Sequence, residues 1–142
     1  MITESLHGPR RVRPATTDDA SFWWDGLERR ELRIQRCGAC ARLRHPFQVR
    51  CPGCGDLGWD WLVASGSGSL HSFVVYHEPI LSETLYPYTV GLVDLAEGTR
   101  VIAPMLPNDG SGLEVGAPVR LVWYDDHDGP VWPVFVPTGG AR

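Results

Sequence analysis

The sequence predicts a mainly β protein in which a short N-terminal helix and a cysteine-containing ribbon precede a five-stranded barrel of the OB-fold type. Three observations support this prediction: two neighbouring CxxC pairs, five later segments with strand patterns, and a single helix-like segment. A chain of 142 residues, 43% of them hydrophobic, can form one domain or two very small ones. We expect a flexible, proline-interrupted tail over 1–16, the helix within 17–31, the ribbon over 32–63 and the barrel over 64–138.

The predicted helix follows a polar segment, 16–19, whose side chains can cap a helix and whose two aspartates suit its positive end. A helix of about three turns is expected over 20–30. Phe22, Trp23 and Trp24 are consecutive, so they cannot all share one helical face. We therefore expect one of these rings to pack on the domain and another to face outward.

All four cysteines fall in two CxxC pairs with a short spacer: Cys37, Cys40, Cys51 and Cys54. Each CxxC turn directs two thiolates at one ion, so the pairs predict a tetrahedral zinc site. Gly38 and Gly53 are expected to fill turn positions where a side chain would crowd the metal. Four thiolates complete the coordination shell, so the zinc is predicted to be structural. Iron in the same site is the alternative, as in rubredoxin-type centres.

Two disulfides are the other interpretation of four cysteines, and they need an oxidising compartment. Residues 1–14 contain no apolar run of the kind found in a secretory signal, and no segment approaches the roughly 20 apolar residues of a membrane span. We therefore expect a cytoplasmic protein without a membrane segment, in which the cysteines bind metal. A thioredoxin-like redox role is disfavoured because it needs one CxxC within a βαβ pattern.

Strand patterns flank the cysteine pairs and complete a zinc ribbon. Residues 32–36 alternate apolar and polar side chains before the first pair, 43–49 return from it, and 59–63 leave the second pair. The Gly-Ser-Gly-Ser segment at 66–69 is either a flexible linker or a place where the first barrel strand bends sharply.

Five further strand segments follow with turn signals between them: 70–77, 88–95, 100–106, 119–124 and 131–136. Their number and β-branched content predict a small closed antiparallel barrel. Five strands are typical of an OB-fold, and an SH3-like barrel is the main alternative.

Charge is unevenly distributed along the chain, whose net charge is -4 and whose 13 basic residues are all arginine. Residues 28–50 contain seven arginines and two glutamates, whereas 51–142 contain three arginines and eleven acids. The basic segment is either a solvated surface or an anion site, for the phosphates of a cofactor such as coenzyme A or of nucleic acid. The candidate residues are Arg29, Arg30, Arg33, Arg42, Arg44 and Arg50, with Trp23 or Trp24 placed to stack on a base.

Several motifs occur together in a specific order. They are the aromatic helix at 22–27, the strand 32–36 before Cys37, the second pair at Cys51, the Gly66-Ser67-Gly68 step, Pro87-Tyr88, Glu97-Gly98, 116–120 and 133–135. In this order the chain resembles the family once called domain of unknown function thirty-five, a rubredoxin-like zinc ribbon followed by an OB-fold. The resemblance covers roughly 20–137.

The resemblance implies a noncatalytic subunit of a hetero-oligomer, bound to a thiolase-superfamily enzyme that acts on acyl-CoA. Such partners catalyse thiolase-like condensation, or the retro-aldol cleavage of a steroid-CoA side chain. The resemblance also favours coenzyme A, shared with the partner, as the ligand of the arginines. We look for partner contacts in the loop 78–87, which is long for a hairpin and carries Ile80, Leu81, Leu85 and Tyr86. The alternative is that this loop folds back to cap the barrel.

The sequence contains no catalytic constellation of its own. Its thiols are assigned to metal, and HExxH, GxSxG and phosphate-binding glycine motifs are lacking. The five histidines are His7, His45, His71, His77 and His127; His71 and His77 share one strand face, where a general-base role is a minor alternative. The acidic segment 125–129 lacks EF-hand spacing and is interpreted as a solvated turn.

Two other functions remain as alternatives. Zinc ribbons and OB-folds are common readers of single-stranded nucleic acid, but the barrel segment is the acidic part of this chain, which makes nucleic acid an unlikely partner. The third interpretation is an acyl-CoA-binding protein that acts alone.

Overall fold

The computed structural model describes residues 4–15, 17–79, 83–126 and 129–139. Within these ranges the chain forms one helix and eight strands: α1 Ser21–Glu28, β1 Arg33–Cys37, β2 Leu43–Arg44, β3 Trp59–Val63, β4 Ser67–Tyr76, β5 Tyr88–Leu95, β6 Arg100–Met105, β7 Pro118–Asp125 and β8 Val131–Pro137. Among the described residues, no helix has the length and apolar character needed to cross a membrane.

Helix α1 has eight residues and is shorter than the sequence predicts. Its N-cap residue, Ala20, makes no side-chain capping hydrogen bond. The carbonyl oxygen of Thr17 instead accepts hydrogen bonds from the N–H groups of Ala20 and Ser21, both at 3.1 Å. Among the described residues, a backbone carbonyl thus bonds the start of this helix, where the sequence suggested side chains from 16–19; residue 16 lies outside the described residues.

The helix ends in a Schellman motif. The N–H of Glu31 donates to the carbonyl of Gly26 at 2.8 Å, and the N–H of Arg30 donates to the carbonyl of Leu27 at 3.0 Å. Arg30 occupies the left-handed position of this motif with φ 58°, where glycine is the usual residue. The motif turns the chain directly into β1.

The ribbon is a three-stranded antiparallel sheet of order β2-β1-β3. The return strand predicted over 43–49 is reduced to Leu43–Arg44. Gln35 explains this difference, because its side chain replaces a strand partner for Gln48. Gln35 Oε1 accepts from the Gln48 N–H, and Gln35 Nε2 donates to the Gln48 carbonyl, both at 3.0 Å.

The remaining strands form a closed five-stranded barrel of order β4-β5-β6-β8-β7, with β7 pairing back to β4. The barrel is consistent with an OB-fold. It differs from the fully antiparallel barrel that we expected, because β8 inserts between β6 and β7 and pairs in parallel with β6 at Met105 and Phe135.

The Gly-Ser-Gly-Ser segment is the beginning of β4. Gly66 has φ 89°, and a Cβ atom there would lie 2.7 Å from Cβ of Leu121. A Cβ atom on Gly68 would lie 2.5 Å from the carbonyl oxygen of Asp94. The glycines thus permit a sharp entry into the barrel and close approach of strands, as in the second of the two interpretations.

One hydrophobic core joins the ribbon to the barrel. Leu32 and Ile34 in the ribbon are 2% and 0% exposed, and they pack in the same cluster as barrel residues that include Leu70, Val93 and Phe135. The ribbon and the barrel therefore bury apolar side chains against each other in one common core.

Residues 5–7 of the N-terminal segment pack on the barrel, although a flexible tail was expected over 1–16. Leu6 is 3% exposed and forms a second apolar cluster with Leu106 and Val134. Asn108 holds this segment, since its Nδ2 donates to the Ser5 carbonyl at 2.7 Å and its Oδ1 accepts from the His7 N–H at 2.8 Å. A lone leucine among polar residues gave no periodic signal of this burial.

Candidate metal centre and neighbouring surfaces

The two CxxC turns bring their four sulfur atoms to one point at the end of the ribbon. The Sγ atoms of Cys37 and Cys54 lie 3.6 Å apart, as do those of Cys40 and Cys51, and all four lie within 4.8 Å of one another. A tetrahedron with Zn–S bonds of about 2.3 Å has edges of about 3.8 Å. The four thiolates therefore fit a tetrahedral metal site, with Cys37 and Cys51 buried on its inner side.

The two turns repeat one backbone geometry. Ala41 and Gly55, each directly after the second cysteine of its pair, have φ of 63° and 81°. The N–H of Ala41 donates to the Cys37 carbonyl at 3.1 Å, and that of Gly55 to the Cys51 carbonyl at 2.9 Å. These left-handed positions were missed in the sequence, although the Cys-Gly pair at 54–55 is a signal for one of them.

Gly38 and Gly53 have a different role from the predicted one. A Cβ atom on Gly38 would meet the carbonyl group of Gly58 at 3.3 Å, and one on Gly53 would meet the Arg42 side chain at 2.9 Å. The nearest sulfur to the Gly53 position is that of Cys51, at an ordinary 3.7 Å. These glycines make room for neighbouring parts of the ribbon.

Backbone N–H groups favour the thiolate form of the two inner cysteines. The N–H groups of Cys40 and Ala39 point at Sγ of Cys37, each at 3.4 Å, and lower the pKa of this thiol. The N–H of Cys54 has the corresponding effect on Cys51 and lowers its pKa to about 6. Thiolates are the form that binds metal, so these N–H groups favour the metal-binding form of Cys37 and Cys51.

Two of the six candidate arginines are buried and bonded within the chain. Arg33 is 8% exposed, pairs with Glu31 at 2.9 Å, and lies over the Trp61 ring at 4.8 Å. Arg44 is 5% exposed, and its Nε and Nη2 donate to the Gln48 carbonyl at 3.4 and 3.2 Å. Their burial separates them from the exposed basic surface.

The other four candidate arginines are exposed. Arg30 pairs with Asp125 at 3.4 Å, and Arg50 donates to the Gly55 carbonyl at 2.7 Å. Arg42 lies beside the second cysteine turn, and Arg29 follows the helix. The exposed arginines are therefore distributed between the metal end of the ribbon and the end of α1.

Both candidate tryptophans are half-buried. The Trp23 ring lies 4.7 Å from the His45 ring and packs against the main core, whereas Trp24 lies 5.7 Å from Trp132 on the barrel. Neither ring faces fully outward, which differs from our expectation for this helix. Burial of His45 lowers its pKa to about 4, so this imidazole is neutral near pH 7.

An apolar surface covers the outer face of β4, β5 and β6. Val74, Tyr76 and Ile102 are 53%, 42% and 69% exposed, although they lie in strands. The Tyr76 and Tyr88 rings stack at 4.7 Å and line a cavity of about 380 Å³. The sequence pattern of these residues indicates only strands, and the register of strand pairing in the barrel directs their side chains outward.

The loop 78–87 adjoins this outer face. Ile80 and Leu81 lie outside the described residues. Leu85 is 56% exposed and pairs by backbone bonds with Gly8, while the Tyr86 hydroxyl donates to the Pro79 carbonyl. The structure thus describes two of the four loop residues that we expected to contact a partner, and one of the two, Leu85, is largely exposed.

The remaining histidines form no catalytic pair with a thiol in the described ranges. His71 Nδ1 lies 3.3 Å from Asp94 Oδ2, but this carboxylate also binds Arg100, and all three side chains are substantially exposed. His7 Nδ1 lies 3.0 Å from the Pro87 carbonyl oxygen. His127 lies outside the described residues.

A tetrathiolate ribbon joined to a closed five-stranded barrel defines a zinc-ribbon and OB-fold class of protein. Residues 24–60 match the family model described as the rubredoxin-like zinc ribbon domain of ChsH2, and residues 61–124 match its C-terminal OB-fold domain. The chain belongs to the DUF35 family, as the ordered motifs of the sequence indicated.

Relatives support this assignment. The chain is 40% identical over 136 residues to a probable enoyl-CoA hydratase alpha subunit of Thermomonospora curvata, and 34% identical over 134 residues to the 3-oxo-4,17-pregnadiene-20-carboxyl-CoA hydratase alpha subunit of Mycobacterium tuberculosis. These alignments cover 96% and 94% of this chain but 43% and 42% of those proteins. The chain thus spans less than half the length of these two relatives.

Two further comparisons cover most of both proteins. A DUF35 domain-containing scaffold protein of Methanothermobacter thermautotrophicus is 30% identical over 109 residues, which are 75% of this chain and 82% of that protein. A solved structure described as the Ltp2-ChsH2(DUF35) aldolase is 41% identical, with a TM-score of 0.80, and the match covers 88% of this chain and 98% of that chain.

Proposed function

We propose that this protein is a noncatalytic subunit that binds a thiolase-superfamily enzyme acting on acyl-CoA and helps form its active complex and coenzyme A channel. The reaction of the partner is a thiolase-like condensation or a retro-aldol cleavage, with steroid side-chain degradation as one setting. The observation that carries this proposal is the match, at 41% identity over nearly the whole matched chain, to the DUF35 component of an aldolase complex. The pregnadiene-carboxyl-CoA relative supports the steroid setting.

The chemistry of the described residues supports a noncatalytic role. The four thiols lie together as one candidate metal site, and with metal bound none of them would be left as a nucleophile. The contact between His71 and Asp94 is exposed and Asp94 also binds Arg100, which leaves this histidine without the enclosed geometry of a general base. Relatives named scaffold proteins agree with this interpretation.

Zinc is the metal that we propose for the four cysteines. A tetrahedral set of four thiolates suits zinc, and with four protein ligands it leaves no position for substrate. Iron in the same site is the outcome that metal analysis would distinguish. A reducing cytoplasm is the location that we propose, because there the thiols stay available for metal.

The apolar outer face is the surface that we propose for the partner enzyme. Val74, Tyr76 and Ile102 expose apolar area that a monomeric barrel would cover or replace with polar groups. Leu85, in the loop 78–87 that joins β4 to β5, adds a further exposed apolar side chain. Together they extend the predicted contact from the loop to the adjoining sheet.

Coenzyme A is the small molecule that we propose to be shared with the partner. The exposed arginines, Arg29, Arg30, Arg42 and Arg50, are the ones available for its phosphates, since Arg33 and Arg44 are buried. Calorimetry with coenzyme A should give a response in the complex that is lost when Arg42 and Arg50 are replaced by glutamine. Tight, salt-sensitive binding of a single-stranded oligonucleotide without a coenzyme A response would favour the nucleic-acid alternative.

Co-expression with a candidate partner of the thiolase superfamily tests the proposed function. We expect one peak in size-exclusion chromatography at micromolar concentration, containing both chains. Ile102→Glu should weaken the complex, because it places a charge in an apolar interface. Val115→Glu, at an apolar side chain outside that surface that is 67% exposed, is the control and should not weaken it. Two separate peaks for the unsubstituted proteins would contradict the subunit assignment.

A further inference from the structure

A second cavity, of about 330 Å³, lies between helix α1 and the segment that follows β2. Aromatic rings from both sides line it. The Trp23 and His45 rings lie 4.7 Å apart, and the Phe22 and Phe47 rings lie 6.4 Å apart. Such walls suit a flat apolar body of roughly the size of one ring.

Arg44 is one of the residues that line this cavity, and no described carboxylate balances its charge. Its side chain forms no ion pair with any described carboxylate, whereas Arg33, which is also buried, pairs with Glu31 at 2.9 Å. The Nη1 atom of Arg44 is shielded from solvent and has no hydrogen-bond partner among the described residues. A buried, unpaired guanidinium group is costly, and an acceptor that entered the cavity would remove that cost.

The charge of the cavity selects the kind of acceptor. Arg44 supplies one positive charge, and its Nε and Nη2 are already bonded to the Gln48 carbonyl. His45 is neutral near pH 7 because burial lowers its pKa to about 4. A carboxylate with one negative charge matches this environment, whereas a phosphate dianion would be left half neutralised.

We propose that this cavity binds a small monocarboxylate with an aromatic or apolar body, whose carboxylate accepts a hydrogen bond from Arg44 Nη1 while the body lies among Trp23, His45 and Phe47. Because Nη1 is shielded, a side chain of the wall must change rotamer to admit the ligand, as is common at binding surfaces. This site is formed by the free chain and requires neither the partner enzyme nor coenzyme A.

Phenylacetate is a suitable probe, because it joins one ring to one carboxylate. We would titrate it into the ¹⁵N-labelled, metal-loaded full chain and follow the Trp23 indole N–H resonance, assigned with Trp23→Phe. We expect a saturable shift, with phenylacetate bound at least about tenfold more tightly than neutral phenylacetamide, since a charge-assisted hydrogen bond is lost in the amide. Phenyl phosphate should bind no better than phenylacetate.

Arg44→Met and Arg44→Gln test the source of this preference. Both should remain folded, because Gln35 Nε2 still donates to the Gln48 carbonyl at 3.0 Å, and both should bind phenylacetate and phenylacetamide equally. Arg120→Met, at an exposed arginine, is the matched control and should keep the preference.

Three results would overturn the proposal. They are equal affinity of the unsubstituted chain for acid and amide, a preference for the acid that persists without Arg44, and a response to an acetylated glutamate peptide with none to phenylacetate. The last result would assign the cavity to a side chain of a partner polypeptide.

Discussion

Loss of one metal ligand should destabilise the whole protein and not the ribbon alone. Cys51→Ser removes a buried thiolate from the four-cysteine cluster, and metal binding and folding are coupled in such modules. Strand β1 is the central strand of the ribbon. Leu32, just before it, and Ile34, within it, are 2% and 0% exposed in the core shared with the barrel. Burying each of these side chains contributes about 1.5–3 kcal/mol, so an unravelled ribbon would cost the barrel about 3–6 kcal/mol. For a chain of 142 residues this corresponds to a Tm lower by roughly 10–20 °C.

Calorimetry of the metal-loaded and substituted proteins, with metal content measured in parallel, checks this expectation. The loaded protein should contain close to one equivalent of zinc or iron and unfold in one transition. Val49→Ser, at a ribbon side chain that is 61% exposed, is the control and should leave the metal content and Tm nearly unchanged. If Cys51→Ser retains the Tm of the unsubstituted protein, or shows a barrel transition at an unchanged temperature, then the shared core does not couple the two modules.

Three further predictions concern single side chains. Leu6→Ala should lower the free energy of unfolding, measured by urea denaturation, by about 2–5 kcal/mol. The control Val12→Ala, at a residue 62% exposed, should change it by less than about 0.5 kcal/mol. Equal effects of the two substitutions would show that the N-terminal segment is not anchored. Arg30→Gly should raise the free energy of unfolding by up to about 1 kcal/mol, because glycine adopts φ 58° without strain. If the substitution instead lowers it by more than a few tenths of a kcal/mol, the exposed ion pair with Asp125 contributes more than the strain costs. The His45 imidazole should titrate in NMR near pH 4, below the usual value of about 6.5. Its contribution to stability is therefore present above pH 6.5 and is lost as pH falls toward 4, and His45→Gln should remove that part of the pH dependence. A measured pKa near 6.5 would contradict the burial argument.

The metal site and the barrel could be predicted because their signals are local. CxxC spacing places two sulfur atoms on one turn, so four cysteines defined the site without tertiary information. Alternation of side chains similarly located β5 at Tyr88–Leu95, whose bounds agree with the sequence pattern. β4 begins earlier than expected, at Ser67, because Gly68 is recognised as a strand residue only once Asp94 lies beside it.

Burial set by distant contacts could not be predicted in this way. Leu6 becomes a core residue through Leu106 and Val134, which are far from it in sequence. Arg44 belongs to a basic segment by composition, yet pairing of β2 with β1 places it inside the fold. In both cases the local sequence is typical of a polar surface, and the tertiary partners determine the outcome.

The shared core also links the metal to the surface proposed for the partner. In β5 the side chains alternate, so that Val93 enters the core with Ile34 while Val90 lines the cavity on the outer face. Ordering of the ribbon by metal therefore supports, through Ile34 and Val93, the same sheet whose outer side presents Tyr76 and Ile102. A structural metal can thus favour partner binding without contacting the partner, because a rigid sheet loses less conformational entropy on association than a loosely packed one.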